Sequence, residues 1–368
     1  MGDIVSSVVF PRVKLTYNTS HESLVWYSSE NAGHIPAILL LPKQVRSPCV
    51  GDSDTRTCGS TAKLGHMAAL CVVFFHANMC DIGETVDFLR LIQEDVCSGD
   101  AVVLAPEYPG YGLLGDFEAS PKSIDSIARA TWRFCQNFLG FNAGQVILWG
   151  HSVGTGPATK LAHSVAEGLA IADASCSRDS ASGNLFESAW GLLRESVGGR
   201  SVSREADKEA LRRPEDDVER NVSRDESPDR KSSLRNLDLD SAGKNIGALV
   251  LMAPYISIAE VVKAHAGYLA SSIASAMWEN SQMLSNPILR DVPLCVVHPK
   301  EDEVVPLSHG QEVLRCASTC KKVGIWIPEE GHNFDYNGRY LEHVREFLEE
   351  HVESLQHVEK ADLSASAG

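Results

Sequence analysis

The sequence contains no run of about 18 apolar residues, so no segment reads as a bilayer-spanning helix and any membrane contact has to be peripheral. It also lacks an excess of positive charge. Its 33 Lys and Arg stand against 49 Asp and Glu, a formal net charge of −16, which argues against a nucleic-acid partner because phosphate binding relies on clustered cations. Ten cysteines are present, but none forms a Cys-x-x-Cys pair and no secretory leader precedes them. They read as reduced thiols of an intracellular protein, with Cys71 and Cys295 inside apolar runs and so in the core. Aromatic residues make up 7% of the chain and nearly vanish between 172 and 243. A stretch rich in Arg, Asp, Glu and Ser cannot bury enough apolar surface to offset its ordering entropy, so 172–243 reads as a disordered insertion. Within it, Leu185, Phe186, Ala189, Trp190 and Leu193 fall at helical spacing, as in a small lid, an interaction helix or a helix packed on the body. Residues 44–66 are polar and turn-rich and read as a surface-loop insertion.

The full chain of 368 residues is 43% apolar, and it is long enough for one large domain with insertions. Continuous apolar runs recur at 37–41, 70–75, 101–105, 146–149, 248–252, 293–298 and 323–327, as expected of strands buried on both faces. Helical patterns lie between them at 84–96, 123–139, 154–169 and 308–317, and a last one begins at Tyr340 with Leu341, Val344, Leu348, Val352 and Leu355 on one stripe. This alternation predicts a doubly wound α/β fold with a mostly parallel sheet and helices on both faces. Residues 1–20 read as an N-terminal anchor segment and 21–368 as a single domain carrying the two insertions.

The stretch VILWGHSVGTGPA (146–158) holds Ser152 between Gly150 and Gly154, after a buried strand and before a helix. Glycines at those positions permit the sharp strand-to-helix turn that presents a nucleophile at the carboxyl edge of a sheet. A serine hydroxyl needs a base, and the base needs a carboxylate to fix its tautomer. PLCVVHPKEDEVVP (293–306) supplies an apolar strand followed by an acidic loop, in which Asp302 is the expected acid, with Glu301 and Glu303 read as solvated neighbours. EEGHNF (329–334) supplies His332 in a loop before the last helix as the general base. The oxyanion hole is expected from the backbone amide of Val153 and one from the loop after residue 75, that of Asn78 first and Ala77 second. His76 reads as a residue that shapes this turn. No metal or organic cofactor is required.

Together FFHANMCDIGE, APEYPGYG, VILWGHSVGTGPA, HPKEDEVVPLSHG and EEGHNF resemble the α/β-hydrolase family that includes membrane-associated protein depalmitoylases, over about residues 25–352 without the insertions. The resemblance implies an α/β-hydrolase fold, a triad at Ser152, Asp302 and His332, and oxyanion donors at Asn78 and Val153. Two positions depart from it, since relatives usually carry glycine where Ala77 and Pro299 stand. The activity implied is hydrolysis of long-chain acyl thioesters or esters, foremost palmitoyl-cysteine on proteins. A monoacylglycerol lipase or general carboxylesterase is the alternative, and a non-catalytic scaffold a third possibility. The partners expected are therefore an acylated protein or lipid ester as substrate and a membrane surface. The acyl pocket is expected to draw on residues 255–283. The start Met1-Gly2-Asp3-Ile4-Val5-Ser6 fits the pattern for myristoylation of Gly2, which implies peripheral attachment at the cytoplasmic face of a membrane. One myristoyl chain binds only marginally, so Val8, Val9 and Phe10, or the Trp190 stripe, are candidates for a second contact.

Overall fold

The computed structural model describes residues 10, 13–29, 33–42, 64–66, 68–168, 245–266 and 277–355. The insertion at 172–243 with its Trp190 stripe, Gly2, and all of 44–66 except Leu64–His66 lie outside them. Eight strands form one sheet: β1 (Leu24–Ser29), β2 (Gly33–Leu40), β3 (Leu70–Phe75), β4 (Ala101–Pro106), β5 (Val146–His151), β6 (Ala248–Met252), β7 (Leu294–Pro299) and β8 (Lys322–Ile327). Their order across the sheet is β1-β2-β4-β3-β5-β6-β7-β8. The β1–β2 and β2–β4 pairs are antiparallel, and every pair from β4 to β8 is parallel.

The continuous apolar runs follow from burial on both faces. Along β3, Cys71, Val73 and Phe75 enter one core with Leu148 of β5 and Leu104 of β4, while Leu70, Val72 and Phe74 enter the other with Ile147, Trp149 and Val103. Helices cover each face. α1 (Val86–Leu91) continues into a wider π turn, Ile92–Val96, and α2 (Pro121–Arg133) into another, Phe134–Leu139. α3 (Thr155–Ala166), α4 (Ile258–Ala266), α5 (Asn280–Leu284), α6 (Leu307–Cys316) and α7 (Tyr340–His351) follow. α2 and α3 pack on the first core, α1 and α7 on the second. The start of α2 is written locally: Ser120 caps it by accepting the Ser123 amide at 3.1 Å, and Pro121 presets the first turn. All five residues of the expected α7 stripe are buried, as are Cys71 and Cys295.

The doubly wound α/β expectation is met, with three differences. β1 and the first half of β2 were not legible as apolar runs, because β1 is an edge strand whose buried residues, Val25 and Tyr27, alternate with more exposed ones. α4 and α5, between β6 and β7, were also not anticipated. Phe10 is not available as a membrane contact: it is 5% exposed and meets Trp278 edge-on, with ring centroids 6.2 Å apart. Burying both rings against the body removes more apolar surface from water than leaving Phe10 at the surface would. Among the described residues no helix is long and apolar enough to cross a membrane.

Candidate active site

Ser152 leaves the end of β5 with φ of 51°, an uncommon left-handed conformation for a residue with a side chain. Both flanking glycines are required by close approach. A Cβ on Gly150 would lie 2.5 Å from the Gly154 carbonyl oxygen, and one on Gly154 would lie 2.1 Å from that of Phe75. The chain therefore turns within one 3-10 turn, Ser152–Gly154, directly into α3, whose N-terminus favours negative charge at this point. Met79, Ala253 and Glu329 also have positive φ. They lie just past β3, β6 and β8, so four of the five such non-glycine residues among those described gather at the carboxyl edge of the sheet, where backbone strain is stored around sites.

Three side chains from three different strand-exit loops converge there. Ser152 Oγ is 2.9 Å from His332 Nε2, and His332 Nδ1 is 2.8 Å from Asp302 Oδ2 and 3.0 Å from Oδ1. With Nδ1–H donating to the carboxylate, Nε2 is left as the acceptor for the serine proton. Asp302 Oδ1 accepts the amides of Val304 at 2.9 Å and Val305 at 2.7 Å, and His298 Nε2 stands 3.4 Å from Oδ2 while donating to the Val305 carbonyl at 2.8 Å. Burial pushes the Asp302 carboxyl up, but hydrogen bonds from His298 and His332 and the His332 charge outweigh it and hold the carboxyl well below the usual range. Asp302 is thus an anion throughout the neutral range.

The remaining expected residues lie around this group. Val153 follows Ser152 in the 3-10 turn and is buried. The loop carrying His76, Ala77 and Asn78 abuts the turn, since a Cβ on Gly154 would also lie 2.7 Å from the His76 carbonyl oxygen. The Asn78 side chain accepts from the Tyr111 hydroxyl and from the Met79 amide. Of residues 255–283, Tyr255 donates to the Val153 carbonyl at 3.3 Å, Asn280 reaches Thr155 Oγ1 at 3.2 Å, and Trp278 leaves no room for a Cβ on Gly156. These three residues pack on the first turn of α3, and residues 267–276 of the segment lie outside the described residues. Pro299 ends β7 opposite Ile327, and the Lys300 amide continues the pairing to the Ile327 carbonyl at 2.7 Å, so the acid loop leaves the sheet in register.

No family model matches the sequence. The chain is similar to the α/β hydrolase domain-containing protein aho-3 of Caenorhabditis elegans, 32% identical over 66 residues that make up 17% of this chain and 19% of that protein. It is also similar to a protein of Acanthamoeba polyphaga mimivirus named as an α/β hydrolase, 26% identical over 147 residues, 40% of this chain and 47% of that protein. The chain spans less than half the length of each of these curated relatives. In three dimensions it matches an α-β hydrolase from Vibrio vulnificus with a TM-score of 0.52 at 14% identity, over 88% of this chain and 80% of that one. The chain has the α/β-hydrolase fold.

Within this α/β-hydrolase fold several site residues escape the sequence patterns. Glu303, read as a solvated acid, accepts the His332 amide through Oε2 at 3.1 Å and sits where a Cβ on Gly331 would be, at 2.7 Å. It fixes the loop that carries the imidazole. His151 is buried beside His332, with ring centroids 6.0 Å apart, and meets the Tyr336 hydroxyl at 2.9 Å. Burial first, and the His332 charge second, lower its pKa to about 3, so it stays neutral. Only its adjacency to Ser152 signals His151 in the sequence; His298 carries a signal in its four-residue spacing to Asp302. No group of three or more His, Cys, Asp or Glu suited to a metal ion occurs among the described residues.

Proposed function

We propose that the protein is a serine hydrolase that cleaves long-chain acyl thioesters or esters, with palmitoyl-cysteine on proteins as its foremost substrate. The observation that carries the hydrolase reading is the unbroken line Ser152 Oγ, His332 Nε2, His332 Nδ1, Asp302 Oδ2, with separations of 2.9 and 2.8 Å. In this reading the Ser152 hydroxyl adds to the acyl carbonyl carbon as its proton passes to His332 Nε2. Asp302 stabilises the imidazolium that forms, and the carbonyl oxygen becomes an oxyanion held by the amides of Val153 and Asn78. Collapse expels the thiolate or alkoxide, which takes the proton from His332. Water then attacks the acyl-serine by the same proton path in reverse.

The acyl-chain preference rests on the motif resemblance and on the surroundings of the serine. Met79, Phe117 and Val304 are the exposed apolar side chains of the loops after β3, β4 and β7, 65%, 52% and 37% exposed, and so rim the same edge as Ser152. Such a rim suits a substrate with an apolar chain or a peripheral stay at a lipid surface, for which myristate on Gly2 would supply the anchor. Purified wild type and Ser152→Ala, each assayed on a palmitoylated peptide and on monoacylglycerol, test the reading. Thioester cleavage by wild type only supports it. Cleavage of the glycerol ester alone moves the assignment to a carboxylesterase or lipase, and equal rates for wild type and variant end the hydrolase reading.

A further inference from the structure

Behind the loop proposed to hold the oxyanion lies a buried polar cluster that the proton path does not use. Glu107, the first residue past β4, and His76, the first past β3, are both 0% exposed, and His76 Nε2 stands 3.1 Å from Glu107 Oε1, near enough for an ion pair though out of line for a hydrogen bond. The other Glu107 oxygen accepts the Tyr17 hydroxyl at 2.9 Å and the Ile82 amide at 3.3 Å, and Oε1 accepts the Tyr108 amide at 3.1 Å. His76 Nδ1–H donates to the Ala77 carbonyl at 2.9 Å. With one ring nitrogen donating to a carbonyl and the other facing a carboxylate, both nitrogens are suited to carry protons.

The segment from Glu107 to Gly112 grips residues 76–78 at further points. The Tyr108 ring stacks on the His76 ring with centroids 3.8 Å apart, its hydroxyl donates to the His76 carbonyl at 3.0 Å, and the Tyr111 hydroxyl donates to Asn78 Oδ1. Gly112, with φ of +46°, lets the segment close on itself: a Cβ there would lie 2.0 Å from Glu107 Oε2. The ring stacking and both tyrosine hydroxyls end on His76 and Asn78, and the His76 carbonyl abuts the turn of Ser152 at Gly154.

We propose that Glu107 is a positioning residue of the hydrolase: it holds His76 as a buried imidazolium, and the pair, with Tyr108 and Tyr111, fixes the backbone of Ala77 and Asn78 and sets a positive charge behind the oxyanion. The inference rests on the reading of Ser152 as nucleophile. The groups facing the His76 ring are Glu107, Tyr108 and Tyr111 from the loop after β4 and Cys80 from its own loop, whose Sγ is 3.8 Å from Nδ1. His151 at the end of β5 and Glu84 lie within electrostatic reach, and Tyr17 backs Glu107. Burial alone lowers the pKa of His76, but the Cys80 thiol and the Glu107 carboxylate outweigh it and raise it to about 10. A fixed cation in a site closed to water acts on developing negative charge without reorganising as the reaction proceeds.

The test uses the full chain as wild type, Ser152→Ala, Glu107→Gln and Tyr111→Phe, with kcat and KM on a chromogenic acyl ester and the His76 ring followed by nitrogen-15 NMR. In wild type His76 is expected to stay charged to about pH 10, and in Glu107→Gln, where Cys80 remains but the carboxylate is gone, to lose its proton at a clearly lower pH. The same substitution is expected to lower kcat on the order of 10- to 100-fold per folded molecule with KM within about threefold, as for misplaced transition-state donors. Tyr111→Phe removes one hydroxyl and leaves the ion pair, so it keeps the charge on His76 and lowers kcat by about 10-fold. An unchanged His76 titration in Glu107→Gln overturns the proposal, as does a loss of rate that only tracks the folded fraction. If Glu107→Gln does not fold, full kcat in Tyr111→Phe overturns it. Absence of Ser152-dependent turnover in wild type instead removes the hydrolase reading, while the NMR still reports whether Glu107 holds the charge.

Discussion

Alanine at Gly154 isolates the fit between the serine turn and the neighbouring strand. The added Cβ would lie 2.1 Å from the Phe75 carbonyl oxygen, 2.6 Å from its carbon and 2.7 Å from the His76 carbonyl oxygen, all backbone atoms, whereas such contacts need about 3 Å. The two segments must part by about 0.9 Å. β3 is hydrogen-bonded on both sides, to β4 and to β5, so it cannot yield, and the displacement falls on Ser152–Gly154 and the start of α3. A misplacement of about 1 Å at a reacting group costs on the order of 100-fold in rate. Overpacking costs roughly 1–3 kcal/mol, offset in part by about 0.4–1 kcal/mol from the stiffer unfolded chain. Gly154→Ala is therefore expected to fold, melt a few degrees lower, and turn over an acyl ester about 100-fold more slowly. Gly144→Ala is the control, since nothing lies within 4 Å of its Cβ. A Gly154→Ala protein with kcat within twofold of wild type and an unchanged melting temperature would refute the packing argument.

Asp302→Asn keeps the shape of the acid but not its charge, and is expected to lower kcat by about 10³- to 10⁴-fold with little change in KM; steady-state kinetics retaining a tenth of the wild-type rate would contradict the role given to the carboxylate. Stability should fall in acid for two reasons of the same sign. Asp302 is held below its unfolded value, so its contribution is present above about pH 4 and lost as pH falls further, and His151 stays neutral to about pH 3 while the unfolded chain takes up that proton below about pH 6.5. Urea midpoints from pH 7 down to about pH 2 check this, and His151→Gln should flatten the part of the decline above about pH 4. Cell fractionation of wild type and Gly2→Ala tests the anchor: the variant is expected in the soluble fraction, and equal membrane retention of both would place the attachment elsewhere.

The elements that sequence made legible are those whose pattern is set by a single local demand. Strands β3 to β7 lie in the sheet interior with both faces covered, so their central positions are apolar on both faces and the run is continuous up to the strand ends. β1 answers a different demand, one buried face at an edge, and its alternation over six residues resembles many loops. α4 and α5 are short, nine and five residues, and too brief to display a helical period. At the site, Gly150, Ser152 and Gly154 are legible because a tight turn writes itself into adjacent residues. Glu303 and Glu107 are not, because an acid in a loop looks alike whether it faces water or accepts the amide of a residue 29 positions away.

Sequence by itself determined the strand–helix alternation, the turn at Ser152 and the chemical types that a serine-based site needs. Tertiary structure decided which of them meet. Ser152 and His332 are 180 residues apart, and Asp302 and His332 are 30 apart; they converge because β5, β7 and β8 run parallel and end at one edge. It also decided that Phe10 turns inward, that His151 is kept neutral, and that Glu107 and His76 face one another in the dark of the core. Burial and pairing are properties of the space a side chain enters, and that space is made by segments distant in the chain, so no local pattern can carry them.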